Sequence, residues 1–333
     1  MADRYIYISD TTDPYRNLAV EEWLTENVKE DSIVLFLWQN RDTVVIGKNQ
    51  DAYSECDAEA LDGDGILTAR RLSGGGAVFH DTGNLNFSFC AGRSVYDVER
   101  QTGVVLEAVK SFGIDAERTG RNDIEAMCSK FSGNAFFKKA DGCCHHGTIM
   151  IRTDPEKMMR YLTPDKEKLA KRAVASVKAR TVNLGDLNPD ITPESMKEAL
   201  IHAFRHEYKS GIFIDDLKQI IDPEAECVHD DACGINAEED MRDIRIKEER
   251  FSSREWIFGG KYEYNRRFKK RFSFGGVDVR MNVEDGIIKK ARVFSDALDT
   301  GIAGELEKRL SGEVYDADCL EDMVRMYQEI RRS

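Results

Sequence analysis

The chain is organised around Arg70-Arg71-Leu72-Ser73-Gly74-Gly75-Gly76-Ala77-Val78-Phe79-His80-Asp81, in which two arginines and a serine precede three glycines. Because glycine has no Cβ, a ligand or another chain segment can approach the main chain closely there. Arginine offers a planar fork of donors that suits phosphate or carboxylate. Further on, Asn86-Phe87-Ser88-Phe89 alternates as a strand does, with both phenylalanines on one buried face. The pattern predicts an anion-binding rim above an apolar floor. A Gly-rich turn beside two solvated arginines is the alternative.

Length and composition favour a globular protein of two domains. The chain has 333 residues, of which 41% are hydrophobic and 33% are charged, which is ordinary for a soluble protein but long for one small core. The net charge is −13, from 48 basic and 61 acidic residues. This balance argues against a nucleic-acid-binding protein, which needs a basic face.

The sequence also argues against a membrane protein. No run approaches the ~18 apolar residues needed to cross a bilayer, and the first residues show no basic segment followed by a long apolar one. The eight cysteines have no framework spacing, which favours reduced thiols. We therefore expect a cytoplasmic protein that binds neither membranes nor nucleic acid.

The first half of the chain predicts strands and helices in alternation. Arg4–Ser9 is typical of a strand, and Asn17 is a candidate cap for the helix that follows. Two dense β-branched and aromatic runs, Ile33–Trp38 and Thr43–Gly47, are joined by a short connection and predict a hairpin. A further helix is expected from about Val98 to Phe112.

The second half contains helix starts, an acidic stretch and a hairpin signal. Asp154-Pro155, Thr163-Pro164 and Thr192-Pro193 each place a proline after a capping residue, as at the start of a helix. Asp222–Asp243 is acidic and poorly periodic, so we interpret it as an interdomain region. Gly275-Gly276 between two apolar runs indicates a two-residue hairpin turn.

The end of the chain predicts a small separate domain. Asp285-Gly286 is a turn signal, and helices are expected at about Gly301–Leu310 and Asp318–Arg331. The whole pattern predicts an α+β protein with a large mixed-sheet domain over residues 1–245 and a small α+β accessory domain over residues 250–333.

Two polar residues are candidates for chemistry. Lys130 has small and apolar neighbours typical of a buried strand, and a compact ammonium suits a position between two anions that must be brought together. An ordinary surface lysine is the alternative. Asp123 follows Gly120-Arg121-Asn122 and is a candidate Mg²⁺ ligand, since Mg²⁺ takes one or two carboxylates plus phosphate oxygens. A capped structural loop is the alternative for Asp123.

These segments resemble the lipoate–protein ligase A family, within the biotin and lipoate ligases. The resemblance rests on the glycine run and on three further segments, Gly120–Asp123, Lys130–Ala135 and His145-His146-Gly147-Thr148. It extends from Asn17–Glu22 near the start to Phe272–Val277 near the end. It implies the biotin/lipoate ligase type of catalytic domain, with a small accessory domain after it.

The resemblance also implies a two-step reaction. Lipoate and ATP, with Mg²⁺, give lipoyl-AMP and pyrophosphate, and a lysine amine of an acceptor then displaces AMP. The implied acceptors are lipoyl domains of 2-oxoacid dehydrogenase complexes or the glycine cleavage H protein. By the same resemblance, Lys130 contacts both nucleotide and lipoate, Arg71 clamps the nucleotide, and residues 168–181 form a loop that folds over the adenylate. The main chain that would lie against the nucleotide is that of Gly76, Ala77, Val78 and Phe79.

Two other functions remain as alternatives. An ATP-independent octanoyl or lipoyl transferase on the same fold would be favoured by a cysteine nucleophile, and Cys128, Cys143 and Cys144 are the candidates. The other alternative is a non-catalytic protein that binds acyl-adenylates. Cys143-Cys144-His145-His146 does not predict a metal site, because adjacent residues on a strand point to opposite faces. One of these two histidines is a candidate for the acyl pocket, and the sequence does not say which.

Overall fold

A computed structural model of the chain describes residues 3–162, 181–209, 212–214, 237–260 and 262–330. Three expectations fall wholly or mostly outside these ranges: the loop 168–181, the helix start at Thr163-Pro164 and the first part of the acidic stretch 222–243. In the described ranges, no helix combines the length and the apolar character that a membrane span requires.

Fourteen strands occur in the described residues: β1 (Asp3–Ile8), β2 (Ile33–Trp38), β3 (Thr43–Ile46), β4 (Leu67–Arg70), β5 (Val78–His80), β6 (Asn84–Gly92), β7 (Ala116–Thr119), β8 (Asp123–Ala126), β9 (Ser129–Lys138), β10 (Gly142–Met150), β11 (Ile212–Ile214), β12 (Arg266–Phe272), β13 (Gly275–Glu284) and β14 (Ile287–Ser295). The described helices are α1 (Pro14–Asn27), α2 (Ala52–Glu55), α3 (Ala58–Asp64), α4 (Val98–Lys110), α5 (Pro155–Tyr161), α6 (Leu184–Leu187), α7 (Pro193–Glu207), α8 (Ala237–Ser252), α9 (Arg254–Phe258), α10 (Ile302–Leu310) and α11 (Ala317–Ile330).

The largest sheet has eight strands in the order β11-β1-β2-β6-β10-β9-β8-β7. Strand β1 is parallel to β2 and β11, whereas the neighbours from β2 onward are antiparallel. This mixed sheet confirms the predicted α+β class. Its strand β2 is buried along its whole length, as its continuous apolar sequence Ile33–Trp38 requires.

A second sheet, in the order β4-β3-β5, carries the glycine run in the loop between β4 and β5. The predicted hairpin of β2 with β3 is therefore wrong, because the two strands lie in different sheets. Strand β3 pairs instead with β4 and β5. The predicted cap Asn17 does not cap α1. Asp13 caps it instead, and the buried Asn17 donates to the carbonyl oxygen of Gln39 (2.9 Å) and to Asn40 Oδ1 (3.0 Å). These bonds anchor the connection to helix α1.

A third sheet, β12-β13-β14, forms the core of the C-terminal region together with α10 and α11. The predicted turn at Asp285-Gly286 is confirmed, and both residues have positive φ (51° and 76°), as a type I′ turn requires. The predicted turn at Gly275-Gly276 is wrong by two residues. Phe272 pairs with Gly275, so Ser273 and Phe274 make the turn and both glycines belong to β13.

Helix α8 joins the C-terminal region to the rest of the chain. It packs on α1, where Lys247 pairs with Glu26 at 3.0 Å and Arg250 pairs with Glu22. Ile244 and Phe251 are fully buried in the core beside α1. A division at residues 245–250 would cut this helix, so the packing favours a boundary after α9. The two-domain division stays a prediction, and we call residues 3–258 the large unit and residues 262–330 the small unit.

Candidate active site

A cavity of about 370 Å³ lies where the glycine loop, strands β8 to β10 and the small unit meet. Six of the seven site residues predicted from the sequence line it: Arg71, Gly76, Ala77, Val78, Asp123 and Lys130. Phe79 does not. Its side chain is buried on the other side of β5, where its ring lies 5.6 Å from that of Tyr161. The alternation of side chains along a strand explains this difference.

Arg71 organises the glycine loop from inside. Its guanidinium is buried and donates to Ser73 Oγ (2.9 Å) and to three main-chain carbonyl oxygens, those of Val45, Gly74 and Gly76. Burial lowers the pKa of Arg71 to about 10, so the side chain remains a cation at neutral pH. In this structure its donors therefore hold the loop, and the predicted clamp on a nucleotide stays a prediction.

The glycines allow the loop to lie directly against the small unit. The Gly75 N–H donates to the Ala297 carbonyl oxygen at 3.1 Å, and Gly75 has a φ of +89°. A Cβ at Gly74 would overlap the Ala297 carbonyl oxygen and lie 2.6 Å from that of Leu298. The neighbouring main chain excludes a side chain at Gly74, and the backbone conformation disfavours one at Gly75.

Lys130 and Asp123 face each other at the mouth of the cavity. Lys130 lies on β9 and Asp123 begins β8, and a register shift between these strands brings Lys130 Nζ to 2.7 Å from Asp123 Oδ1. Both side chains are about one-third exposed (34% and 37%). The pair is therefore accessible to a ligand, and its electrostatic contribution to stability is small.

A chain of buried hydrogen bonds runs under the inner part of the cavity. The His146 ring joins its two halves, with Nδ1 2.8 Å from Glu21 Oε1 and Nε2 2.7 Å from Ser73 Oγ. In order, the chain links Trp38, Ser88, Glu21, His146, Ser73 and Arg71. The choice between the two histidines is thus decided: His146 lines the cavity, while His145 lies on the opposite face of β10 between Gln101 and Asn134.

Glu21, Cys144 and His146 place three metal-binding atoms within 4.8 Å of one another. The argument from adjacent residues overlooked this group, because Cys144 and His146 are two positions apart and share a face of β10. Both ring nitrogens of His146 already have hydrogen-bond partners. We therefore interpret Glu21 and His146 as members of the hydrogen-bonded chain and not as metal ligands.

Two buried polar atoms at the cavity lack partners among the described residues, His80 Nε2 and Asn86 Nδ2. Burial, followed by the charges of Arg71 and His146, lowers the pKa of His80 to about 3, so this ring is neutral at pH 7. Its Nδ1 lies 3.2 Å from the Asn40 amide nitrogen, which is a donor, so Nε2 carries the proton. Two buried donors beside the cavity therefore have no acceptor among the described residues.

The model of the lipoyl protein ligase A/B catalytic domain matches residues 13–205, which is more than half of the chain. The chain belongs to this family. The model of the bacterial lipoate protein ligase C-terminus matches residues 261–331, which include the whole small unit. Both matches confirm the resemblance inferred from the glycine run and its companion segments.

Solved structures of lipoate–protein ligases are similar to this ligase family member. The P. falciparum LipL1 in complex with lipoate is 28% identical with a TM-score of 0.76, and the match covers 98% of this chain and 99% of that one. An archaeal bi-partite lipoate protein ligase from Thermoplasma acidophilum, solved with its E2 lipoyl domain, is 25% identical with a TM-score of 0.63 over 79% of this chain and 99% of that one. A lipoate–protein ligase A bound with ATP is 24% identical with a TM-score of 0.63 over 78% and 99%, and shows the shared fold.

In this ligase family member the small unit contributes to the site, which the sequence did not predict. Arg271, Asp296 and Leu298 line the same cavity as Lys130. Arg271 pairs with Asp296 at 3.2 Å, and Asp296 also accepts the Gly276 N–H at 2.6 Å. No local motif marks these residues, since they reach the cavity only through the packing of the small unit on the glycine loop.

Gly133→Ala is expected to displace the Lys130 ammonium while the fold remains intact. A Cβ at Gly133 would lie 2.8 Å from Lys130 Nζ and 3.0 Å from its Cε, and a flexible side chain can move away from such a contact. A displacement of about 1 Å at a reacting centre can cost roughly 10²-fold in rate. The measurement is the rate of pyrophosphate release with ATP and lipoate. A rate equal to that of the wild type would show that the position of Lys130 does not limit this step.

Proposed function

We propose that this protein activates lipoate with ATP to lipoyl-AMP and then transfers the lipoyl group to a lysine of an acceptor lipoyl domain. The observation that carries the proposal is one cavity that combines an exposed glycine main chain, the Lys130 ammonium and an apolar part formed by Leu18, Trp38 and Val45. A charged head and an apolar body fit such a cavity. Lipoate in the P. falciparum relative, which matches this chain over its full length, supports lipoate as the acid.

In the first step two anions must approach each other, the lipoate carboxylate and the α-phosphate. A carboxylate oxygen attacks the α-phosphorus, and the bond to pyrophosphate breaks. An ammonium between the two groups offsets their repulsion and stabilises the charge that develops on the phosphoryl oxygens. Lys130 is the cation we assign to this role, with Asp123 as its partner before the substrates bind.

Asp123 fits the modest demands of a magnesium site. Mg²⁺ needs only one or two protein carboxylates when phosphate oxygens and water complete its shell, and Asp123 is accessible at the cavity. We propose that Asp123 would hold Mg²⁺, and that Lys130 would then be released from its ion pair with this carboxylate. Mg²⁺ would neutralise the charge of the leaving pyrophosphate.

In the second step the acceptor amine attacks the acyl carbon and AMP leaves. The activated acyl group needs no enzyme nucleophile, and none of the three candidate cysteines lines the cavity. Cys143 and Cys144 are buried and Cys128 lies on the exposed turn between β8 and β9. Burial raises the pKa of both Cys143 and Cys144, which disfavours the reactive thiolate. This arrangement favours the ligase over a thioester-forming transferase.

A triple variant, Cys128→Ser with Cys143→Ala and Cys144→Ala, is therefore expected to keep most of the ATP-dependent activity. A route through a thioester would lose its nucleophile and stop. The measurement is transfer of lipoate to an acceptor lipoyl domain, followed by mass spectrometry. Cys56→Ala serves as the control for removal of a buried thiol, since Cys56 lies in a separate core cluster. Loss of turnover in a folded triple variant, with the control active, would favour the transferase.

The decisive experiment mixes the protein with ATP, Mg²⁺ and lipoate and measures pyrophosphate, with lipoate omitted in the control. Lipoate-dependent pyrophosphate release is the expected result. When an acceptor lipoyl domain is then added, the mass of that domain should increase by one lipoyl group per target lysine. Acceptor modification from an acyl-carrier donor without ATP would overturn the proposal in favour of the transferase. Binding of lipoyl-AMP without either step would favour a non-catalytic binder.

A further inference from the structure

A second cavity, of about 280 Å³, lies at the seam between the two units. We call it the seam cavity. Its walls come from the segment after β3, from α9 of the large unit, and from β14 and α10 of the small unit. Among the described residues, none of those that line it also lines the candidate active site. The residues used below are Lys48, Gln50, Arg70, Trp256, Arg292 and Glu307.

Gln50 presents an unused donor at this cavity. The residue is 2% exposed, and its Oε1 accepts the Gly47 N–H at 2.8 Å, which fixes the orientation of the amide. Its Nε2 has no hydrogen-bond partner among the described residues. A buried amide N–H₂ without an acceptor is uncommon in folded proteins.

Arg70 brings a buried positive charge without a carboxylate partner among the described residues. It is 8% exposed, and its guanidinium donates to five main-chain carbonyl oxygens, those of Gly47, Lys48, Gln50, Trp256 and Ile257. Burial and, after it, the charge of Arg292 lower the pKa of Arg70 to about 10. Arg70 and Arg292 both line the seam cavity.

The remaining charges leave the seam cavity positive. Lys48 is exposed and has no ion pair in the described part of the chain. Among the described residues, the ion pair of Arg292 is a long one, with its Nε 3.8 Å from Glu307 Oε1, and that oxygen also accepts the Val293 N–H. Three cations therefore face two carboxylates, Glu255 and Glu307, in a protein whose net charge is −13.

We propose that the seam cavity binds a phosphate group, held by Lys48 and Arg292. Phosphate supplies only acceptor oxygens, and Arg and Lys are the side chains that bind it best. The group could come from inorganic phosphate, from pyrophosphate or from a nucleotide. The proposal concerns binding at a second site and does not depend on the ligase reaction.

Binding in the seam cavity would also affect the glycine loop and the small unit, because hydrogen bonds connect both to the cavity wall. The Lys48 N–H donates to the Ser73 carbonyl oxygen at 2.9 Å, and the Ser295 N–H donates to the Asn49 carbonyl oxygen at 2.9 Å. A ligand that holds Lys48 and Arg292 together would therefore stiffen the segment between the two cavities and stabilise the contact between the units. We expect the melting temperature to rise with phosphate concentration, because ligand binding to the folded state stabilises it.

The test is calorimetric titration of the full-length protein, without ATP or lipoate, with inorganic phosphate, pyrophosphate and AMP in separate arms. The variant is Lys48→Gln with Arg292→Gln, and the matched control is Lys289→Gln with Lys290→Gln, exposed residues of β14 that do not line the seam cavity. We expect the best of the three probes to bind at least about tenfold more weakly to the variant and within about twofold of wild type to the control, since a charged phosphate contact contributes about one decade or more in affinity. The arm that binds most tightly identifies the source of the phosphate.

Lys130→Ala separates this site from the candidate active site. If the phosphate probe binds at the seam, its affinity is retained in Lys130→Ala. Any of four results overturns the proposal: that binding is lost in Lys130→Ala, unchanged in the Lys48/Arg292 variant, weakened equally in the control, or absent from all three arms. Should the double variant fail to fold, Lys48→Gln alone provides the same comparison, since this exposed side chain makes no ion pair among the described residues.

Discussion

A Lys130→Ala variant is expected to form lipoyl-AMP about 10²–10³-fold more slowly than the wild-type protein, because one positioned charge at a developing anion is removed. The fold should remain intact, since the side chain is 34% exposed and its only ion pair in the described residues is with Asp123. The measurement is lipoate-dependent pyrophosphate release, with the melting temperature as the check on folding.

Lys138→Ala is the matched control for Lys130→Ala. Lys138 lies at the other end of β9, is exposed, and does not line the cavity. It should therefore leave the rate unchanged. If both variants form the adenylate at the wild-type rate, Lys130 is an ordinary surface lysine and the assigned site is misplaced. A slow Lys138→Ala variant would instead indicate a general effect of charge on β9.

Gly74→Ala is expected to disturb the contact between the two units and to slow adenylate formation at least tenfold. The added Cβ would overlap the Ala297 carbonyl oxygen and lie 2.6 Å from that of Leu298, and neither main-chain atom can rotate away. The glycine loop and the small unit must then separate, which moves Leu298 and Asp296 away from the cavity. A displacement of about 1 Å in an active site can lower the reaction rate roughly 10²-fold.

The measurements for Gly74→Ala are the rate of pyrophosphate release and the rate of proteolysis in residues 259–265, between the units. Faster cleavage together with slower catalysis is the expected result. Gly103→Ala is the control, because Gly103 lies within α4 and a Cβ there meets nothing within 4 Å. Alanine in a helix is favourable by about 1 kcal/mol relative to glycine, so this variant should be at least as stable as wild type. Wild-type behaviour of Gly74→Ala would show that the contact is dispensable.

Local patterns predicted the elements of this fold well because each element depends on its own sequence. The strand Ile33–Trp38, the helix start at Pro155 and the turn at Asp285-Gly286 follow from apolar density, proline and paired turn residues respectively. Pairing between elements was harder to predict. Asn17 bonds the connection after β2, and β3 pairs with β4 and β5 in another sheet. Nothing in residues 39–42 themselves indicates this pairing.

Most of the predicted site residues line one cavity, and their roles stay predictions. Lys130, Asp123 and the glycine loop do line one cavity, as the motif suggested. The two arginines were expected at a rim, but both are buried and bond main-chain carbonyl oxygens, because the loop folds around them. Burial of a charged side chain depends on the tertiary packing around it, which the order of residues in a motif does not specify.

The seam has a consequence for how the protein is made. The two units meet through main-chain bonds and through the ion pair of Arg280 with Asp51 at 2.6 Å, so their faces are complementary without the covalent connection. If the chain were translated as two polypeptides divided near residue 261, the pieces should reassemble, and activity would then rise with cellular abundance. The short connection replaces that dependence with an effective concentration of about millimolar. A single polypeptide therefore keeps the candidate active site complete at any expression level.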